Sequence, residues 1–190
     1  TFAKCICGLM KRCRGKISDG EKVYQGRRLW ELAYLVFQDV NHQLFSESVK
    51  EEVTLGLPLS EGKKEELAGQ VLRQMGLLDY KDCHPMSLSG GQKQRLAVAG
   101  AMASGKDLIV YDEPTSGLDY RHMEIVADMI NDLSEKGKTQ FIITHDPELV
   151  ERCCDRFLFL KNGKVECEGS WTKENTNRIR NYFGELAHTR

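Results

Sequence analysis

Three short apolar runs, each closing on a polar residue, constrain this 190-residue chain more than any other feature. Tyr34, Leu35, Val36 and Phe37 lead to Gln38, and Leu108, Ile109, Val110 and Tyr111 lead to Asp112 and Glu113. Phe141, Ile142, Ile143 and Thr144 lead to His145. Apolar runs without alternation belong to strands covered on both faces, as in a parallel sheet flanked by helices. Between the second and third runs, Ile125, Val126, Met129, Ile130 and Leu133 recur at helical spacing. Strand, helix, strand in that order predicts an α/β fold with parallel strands at its centre. Ligands of such sheets bind at the carboxyl ends of the strands, so Gln38, Asp112, Glu113 and His145 are expected to converge on one edge.

The remaining segments are arranged around that sheet. Phe2, Ile6, Leu9 and Cys13 predict a first helix with one apolar face, running into the basic stretch 11–16. A chain seldom opens inside a core helix, so the expectation is a parent protein whose front end is missing here. Residues 17–30 are polar and Gly-punctuated, which predicts short strands and turns. Charged helical stretches at 47–53 and 61–75 alternate with breaks at Gly56, Pro58, Gly62 and Pro85, as in a small helical lobe. Leu67, Val71, Leu72 and Met75 would form the inner face of the second stretch. Ser89 is a good N-cap for a helix whose inner face is Leu96, Ala99, Gly100 and Ala103. After His145 come a short helix carrying Leu149 and Val150, a strand at 157–160, an Asn162-Gly163 turn and a returning strand. The last residues, 171–190, read as a helix with Ile179, Tyr182, Phe183 and Leu186 on one face.

Composition excludes several classes of function. Lys and Arg total 27 against 28 Asp and Glu, and a net charge of -1 supplies no general attraction to nucleic acid. No apolar run approaches the roughly 20 residues needed to cross a bilayer, so work at a membrane would be done from outside it. The seven cysteines are odd in number and crowd at Cys5, Cys7 and Cys13 and at Cys153 and Cys154. They are expected to be reduced and mostly buried thiols; the spacing is not that of a paired metal motif.

The chemistry expected at the strand ends follows from residue type. Of two adjacent carboxylates after a strand, one can hold a hard cation such as Mg²⁺ while the other orients and deprotonates a water. Gly90 and Gly91 lower helix propensity at the helix start, yet they let backbone amides approach a ligand where the dipole favours phosphate. His42, His84, His122 and His188 join no such cluster and are read as structural.

These residues carry a resemblance. Leu88-Ser89-Gly90-Gly91-Gln92 followed by Lys93-Gln94-Arg95 resembles the signature motif of ABC-type ATPases. Residues 107–114 resemble their Walker B strand, Ser116-Gly117-Leu118-Asp119 the D-loop, Thr144-His145-Asp146 the switch histidine, and Phe37-Gln38-Asp39 the Q-loop. The order is the family's own and spans nearly the whole chain. Within the family, residues 38–45, with Gln43, Leu44 and Phe45 after Asn41, are similar to energy-coupling factor and cobalt-type importers.

The resemblance implies a P-loop NTPase-type core with a largely parallel sheet and an inserted helical subdomain, N-terminally truncated. Residues 1–44 and 101–170 would form the incomplete core, 45–100 the helical subdomain with the signature, and 171–190 a helical tail. ATP and Mg²⁺ are the implied cofactors. Asp112 would hold Mg²⁺ through its water shell, Glu113 would polarise the attacking water, and His145 would contact the γ-phosphate. Gln38 would reach metal and water and report nucleotide state to the membrane partner. Ser89, Gly90, Gly91 and Gln92 would face a nucleotide held mainly by a second ATPase subunit, identical or not, with Asp119 at that interface. The other implied partners are a transmembrane coupling subunit and a substrate-binding membrane subunit, with the chain peripheral on the cytoplasmic face and no nucleic acid involved. The cargo would be a vitamin or metal ion.

One expected element is not in these residues. ATPases of this kind hold the phosphates with G-x-x-x-x-G-K-[ST], and the 190 residues contain no such string. Family order places it directly before the first helix, which makes Thr1 either the [ST] that ligates Mg²⁺ or the residue after it. The chain alone is therefore expected to bind ATP weakly or not at all and not to hydrolyse it. Two other readings stand beside the importer ATPase. One is a non-hydrolytic partner that lends only its signature face, against which Glu113 and His145 argue. The other is a soluble ABC-type ATPase acting on nucleic acid or ribosomes, against which the missing basic arm and the 38–45 segment argue.

Overall fold

The computed structural model describes residues 1–171, and the helix expected over the final stretch lies outside them apart from Trp171. Two units are distinguished, one of Thr1–Ile143 and one beginning at Thr144. The first opens with α1 (Phe2–Ile6), much shorter than the periodicity predicts. Its end is dictated by Gly8, which has a φ of +71° and lies so near the backbone that a Cβ there would meet the Gly26 carbonyl oxygen at 2.9 Å. The inner face is consequently Ala3 and Cys7, whereas Phe2 and Leu9 are 40% and 51% exposed. The basic stretch 11–16 is thus not a helix end but an exposed connection into the hairpin.

That hairpin pairs β1 (Lys16–Ser18) with β2 (Val23–Gln25) antiparallel. The Asp19 carboxylate closes its turn by accepting from the Glu21 and Lys22 amides, which holds its pKa below the usual carboxylate range. A short helix, α2 (Leu29–Leu32), then feeds β3 (Ala33–Val36). The expected parallel sheet is present: β3, β4 (Leu108–Asp112) and β5 (Thr139–Ile143) pair in that order, all parallel. β4 is the central strand and Leu108 through Tyr111 are buried, which accounts for its unbroken apolar run. β5 differs from expectation, since Phe141 is 38% exposed. Among the described residues β5 pairs with β4 alone, and none of its residues is fully buried.

Between β3 and β4 the chain builds α3 (Val49–Val53), α4 (Glu61–Gln74) and α5 (Gly90–Ala103). α4 buries Ala68, Val71 and Leu72, with Met75 just beyond, while Leu67 is only half-buried. α5 is enclosed on every side from Gln94 to Ala101 and not along one face, because α3, α4, β3 and α6 (Tyr120–Glu135) all pack against it. Its contact with β3 is close enough to require glycine: a Cβ on Gly100 would meet the Tyr34 hydroxyl at 2.7 Å. α6 is amphipathic as the spacing predicts, burying Val126, Met129, Ile130 and Leu133 along with Met123, but Ile125, expected on the same face, is only half-buried.

The second unit contains α7 (Pro147–Cys153) and the hairpin of β6 (Arg156–Lys161) and β7 (Lys164–Ser170). Asn162 and Gly163 have φ of 52° and 75°, the left-handed pair that a two-residue hairpin turn requires. All seven cysteines are free, as expected, but only Cys7 is buried, and Cys13 and Cys83 are exposed. Burial pushes the Cys7 thiol up to about 12.

Candidate functional site

Two sets of candidate functional residues lie in the first unit, and backbone geometry places each. At the carboxyl end of the sheet, the β3–β4 ladder ends at Val36–Tyr111 and the β4–β5 ladder at Asp112–Ile143. Gln38 therefore emerges just past β3, exposed, next to the half-buried Asp112 and Glu113 at the end of β4. Glu113 has a φ of +53°, a conformation that side-chain-bearing residues adopt at a cost of about 1–3 kcal/mol. It is held there by its amide, which donates to the Ile143 carbonyl at 2.8 Å, and by its carbonyl, which accepts from Ser116 at 3.2 Å. The positive φ ends the regular strand geometry at Glu113, one residue past the end of β4. Strained backbone positions cluster at active sites, which makes Glu113 a candidate functional residue.

The second set lines a cleft of about 270 Å³ between the starts of α5 and α6. Ser89 caps α5, its Oγ accepting from the Gln92 amide at 3.4 Å while the Gln92 side chain accepts from the Ser89 amide at 2.9 Å. This reciprocal cap uses the Gln92 amide. The Gly90 and Gly91 amides, being in the first helical turn, have no acceptor within the helix. A Cβ on Gly90 would enter open space, whereas one on Gly91 would meet Leu118 at 3.2 Å. Gly91 thus lets the 116–119 loop approach α5, whereas Gly90 faces open space and does not line the cleft. Asp119 caps α6, accepting from the His122 amide at 2.9 Å and pairing with His122 Nδ1 at 2.8 Å. The His122 amide first, then its ring, holds the Asp119 carboxyl below its ordinary pKa. Arg95 lies under the cleft with its Nε donating to the Met75 carbonyl at 3.0 Å, and burial lowers its pKa.

His122 and Glu52 were not singled out from sequence as site groups, whereas Gln43 entered through the 38–45 segment. His122, read as structural, lines the cleft and orients Asp119; the Asp-x-x-His spacing on a helix start was the signal available. Gln43 is half-buried and hydrogen-bonds back onto β3, and Glu52 accepts from the Phe45 and Ser46 amides, each at 2.7 Å. Nothing in the sequence pattern marks Glu52. Thr1 is exposed at the cap of α1, with its carbonyl accepting from Cys5. His145 belongs to the second unit, next to Asp146, whose carboxylate caps α7 by accepting from Glu148 and Leu149. Among the described residues no cluster of three or more His, Cys, Asp or Glu forms a ready-made metal site. A Mg²⁺ held through one carboxylate and water needs no such cluster.

A family profile described as ABC transporter matches residues 1–116. The chain belongs to the ABC transporter family. Its similarity to a Treponema denticola protein named among the ABC transporter ATP-binding proteins is 43% identity over 176 residues, covering 92% of this chain and 35% of that one. It is 34% identical over 171 residues to the energy-coupling factor transporter ATP-binding protein EcfA of Methanothermobacter thermautotrophicus, covering 86% of this chain and 55% of that one. The chain spans about a third of the length of the first curated relatives it matches, 35%, 28% and 34%. The fold is that of solved ABC cassettes: the post-hydrolysis dimer of the ATP-binding cassette MJ0796, bound to ADP and phosphate, superposes with a TM-score of 0.76 at 27% identity. That match covers 89% of this chain and 78% of the cassette. Within this fold β4 ends in a carboxylate followed directly by a second, and the cleft lies at the starts of α5 and α6.

Proposed function

We propose that the chain is part of the ATP-binding and hydrolysing subunit of an energy-coupling factor-like importer of a vitamin or metal ion. The observation that carries this reading is Glu113, held in a strained left-handed conformation beside Asp112 at the end of β4. In this reading Asp112 holds the water shell of Mg²⁺, and Thr1 is a further candidate ligand. Bound Mg²⁺ would neutralise charge on the phosphate oxygens. Glu113 takes the proton of the attacking water, Gln38 orients that water, and His145 contacts the γ-phosphate. Ser89 Oγ and the Gly90 and Gly91 amides face the γ-phosphate of a nucleotide held by a second ATPase subunit, with Gln92 fixing the cap and Asp119 at the interface. The dimeric state of the similar MJ0796 cassette supports that partner. The similarity to EcfA supports the coupling and substrate-binding membrane subunits and a peripheral place on the cytoplasmic face. Residues 45–100 would act as the helical lobe of this subunit, and 1–44 with 101–170 as its core.

The 190 residues alone are predicted to show no Mg²⁺-ATP turnover, since no G-x-x-x-x-G-K-[ST] occurs in them. Clear turnover by the purified chain sinks that statement. In a longer chain where these residues follow such a loop, Glu113→Gln should lower kcat by about 10²–10⁴-fold while bound ATP is retained. Hydrolysis persisting at the normal rate removes Glu113 from its role. The complete signature cleft favours one alternative, a partner that lends this face to another ATPase. In that case Glu113→Gln leaves turnover of the pair unchanged and Ser89→Arg abolishes it.

A further inference from the structure

The segment after β3 is anchored in a way that the roles above do not use. Gln43 reaches back across six residues and hydrogen-bonds the edge of β3: its Oε1 accepts from the Phe37 amide at 3.0 Å, and its Nε2 donates to the Leu35 carbonyl at 3.1 Å. Phe37 offers only a donor and Leu35 only an acceptor at these atoms, so one orientation of the amide satisfies both. Carbonyl of residue i and amide of residue i+2 on one side of a strand are the pair that the N–H and C=O of a single residue on a parallel neighbouring strand would engage. The side-chain amide of Gln43 thus stands in for one residue of an additional strand. Its Nε2 also donates to the Tyr34 hydroxyl at 3.1 Å. That hydroxyl sits against Gly100 of α5, where no Cβ could be accommodated.

We propose that Gln43 is the positioning residue for Gln38, clamping Phe37 to the sheet so that Gln38 leaves β3 in one fixed direction. Only Phe37 separates Gln38 from the last β3 residue, so an unclamped Phe37 amide would leave Gln38 free to swing. The intervening turn is closed by local bonds as well. Asp39 accepts from the Asn41 amide at 3.1 Å, and the Gln43 amide donates to the Val40 carbonyl at 3.0 Å. Lys93, in the first turns of α5, donates to Asn41 Oδ1 at 3.1 Å. Helix α5, which carries the signature cleft, therefore bears on this turn at Lys93 and on its clamp through Tyr34. The importance of the clamp for turnover rests on the role proposed above for Gln38; the clamp itself does not.

Amide hydrogen exchange on the 190-residue chain tests the clamp directly, with Gln43→Leu and Gln43→Glu as variants and thermal melting as the control for folding. Gln43→Leu should speed exchange at Phe37 by about tenfold, the loss of one partly buried hydrogen bond, while Val110 and Tyr111 of β4 stay as protected as before. Gln43→Glu keeps an acceptor for the Phe37 amide and loses both donated bonds, so Phe37 should remain slow. That selective rescue is not expected of a residue that merely adds stability. Unchanged Phe37 exchange in Gln43→Leu, or equal acceleration at Phe37, Val110 and Tyr111, overturns the inference. In a chain that carries the phosphate loop, Gln43→Leu should reduce kcat at least tenfold with the KM for ATP nearly unchanged. If Phe37 loosens and kcat does not move, the clamp stands and the proposed role of Gln38 falls.

Discussion

At the scale of single residues, the sharpest departure from ordinary geometry is Glu113. Of the described residues that carry a side chain, only Glu113 and Asn162 have positive φ, and Asn162 has a hairpin turn to explain it. Glu113 has no such excuse: the residue type is poor for the conformation, and glycine would adopt it without steric cost. Glu113→Gly should therefore raise stability by about 1 kcal/mol, the relief of strain set against a looser unfolded chain. A urea titration reads this as a higher midpoint at constant slope. A lower midpoint would mean that the carboxylate's own contacts outweigh the strain, and that its place is structural. Asp112, Glu113 and Ser89 were singled out from the sequence by their places at a strand end and a helix cap, and the paired glycines because they lower helix propensity where a helix begins. His122 was not, since a histidine on a helix start has many ordinary uses and its bond to Asp119 is defined only once α6 forms.

At the scale of elements, β3 and the segment that follows are held by side chains from both directions. Gln43 ties the near end, and Glu52 of α3 ties the far end by accepting from Phe45 and Ser46. Glu52 is buried, and removing its carboxylate takes away the acceptor of the Phe45 and Ser46 amides. Hydrogen bonds to a charged acceptor contribute about 1.5–3 kcal/mol, so Glu52→Ala should destabilise by at least that amount. Glu52→Gln keeps an oxygen in place and should recover part of the loss. A urea midpoint for Glu52→Ala within error of the parent chain refutes the anchoring role. The elements themselves were largely readable: β3, β4, α4 and α6 announce themselves by apolar spacing, and the Asn162-Gly163 hairpin by its turn chemistry. The first helix was overextended because Leu9 and Cys13 fit its period, while the close approach of Gly8 to Gly26 that ends it is a tertiary contact. Side-chain anchors such as Gln43 were unreadable for the same reason, because their partners are backbone atoms of another element.

At the scale of the molecule, what matters is how the sheet ends. The β3 edge is occupied by the Gln43 amide, a side chain that pairs with the strand as a neighbour would. The other edge, β5, pairs on one side only among the described residues and exposes Phe141, whose ring meets Phe2 edge-on at 6.4 Å. An apolar strand side left unpaired among the described residues is a template for association with another copy. Charge does little to oppose it, because a net charge of -1 and a pI near 6.5 leave copies without long-range repulsion at neutral pH. The purified 190-residue chain should therefore self-associate, with an average mass in sedimentation that rises with concentration. Phe141→Lys puts a cation on the edge and should suppress that rise without unfolding the sheet, since Phe141 is not part of the enclosed core. The sign of the pH effect follows from the pI: moving from pH 6.5 toward 8.5 adds negative charge and should weaken association in the parent chain. A mass independent of concentration at pH 6.5, or an association that Phe141→Lys leaves intact, would show that the β5 edge is not the contact. The first outcome would mean that the edge is already protected within one copy.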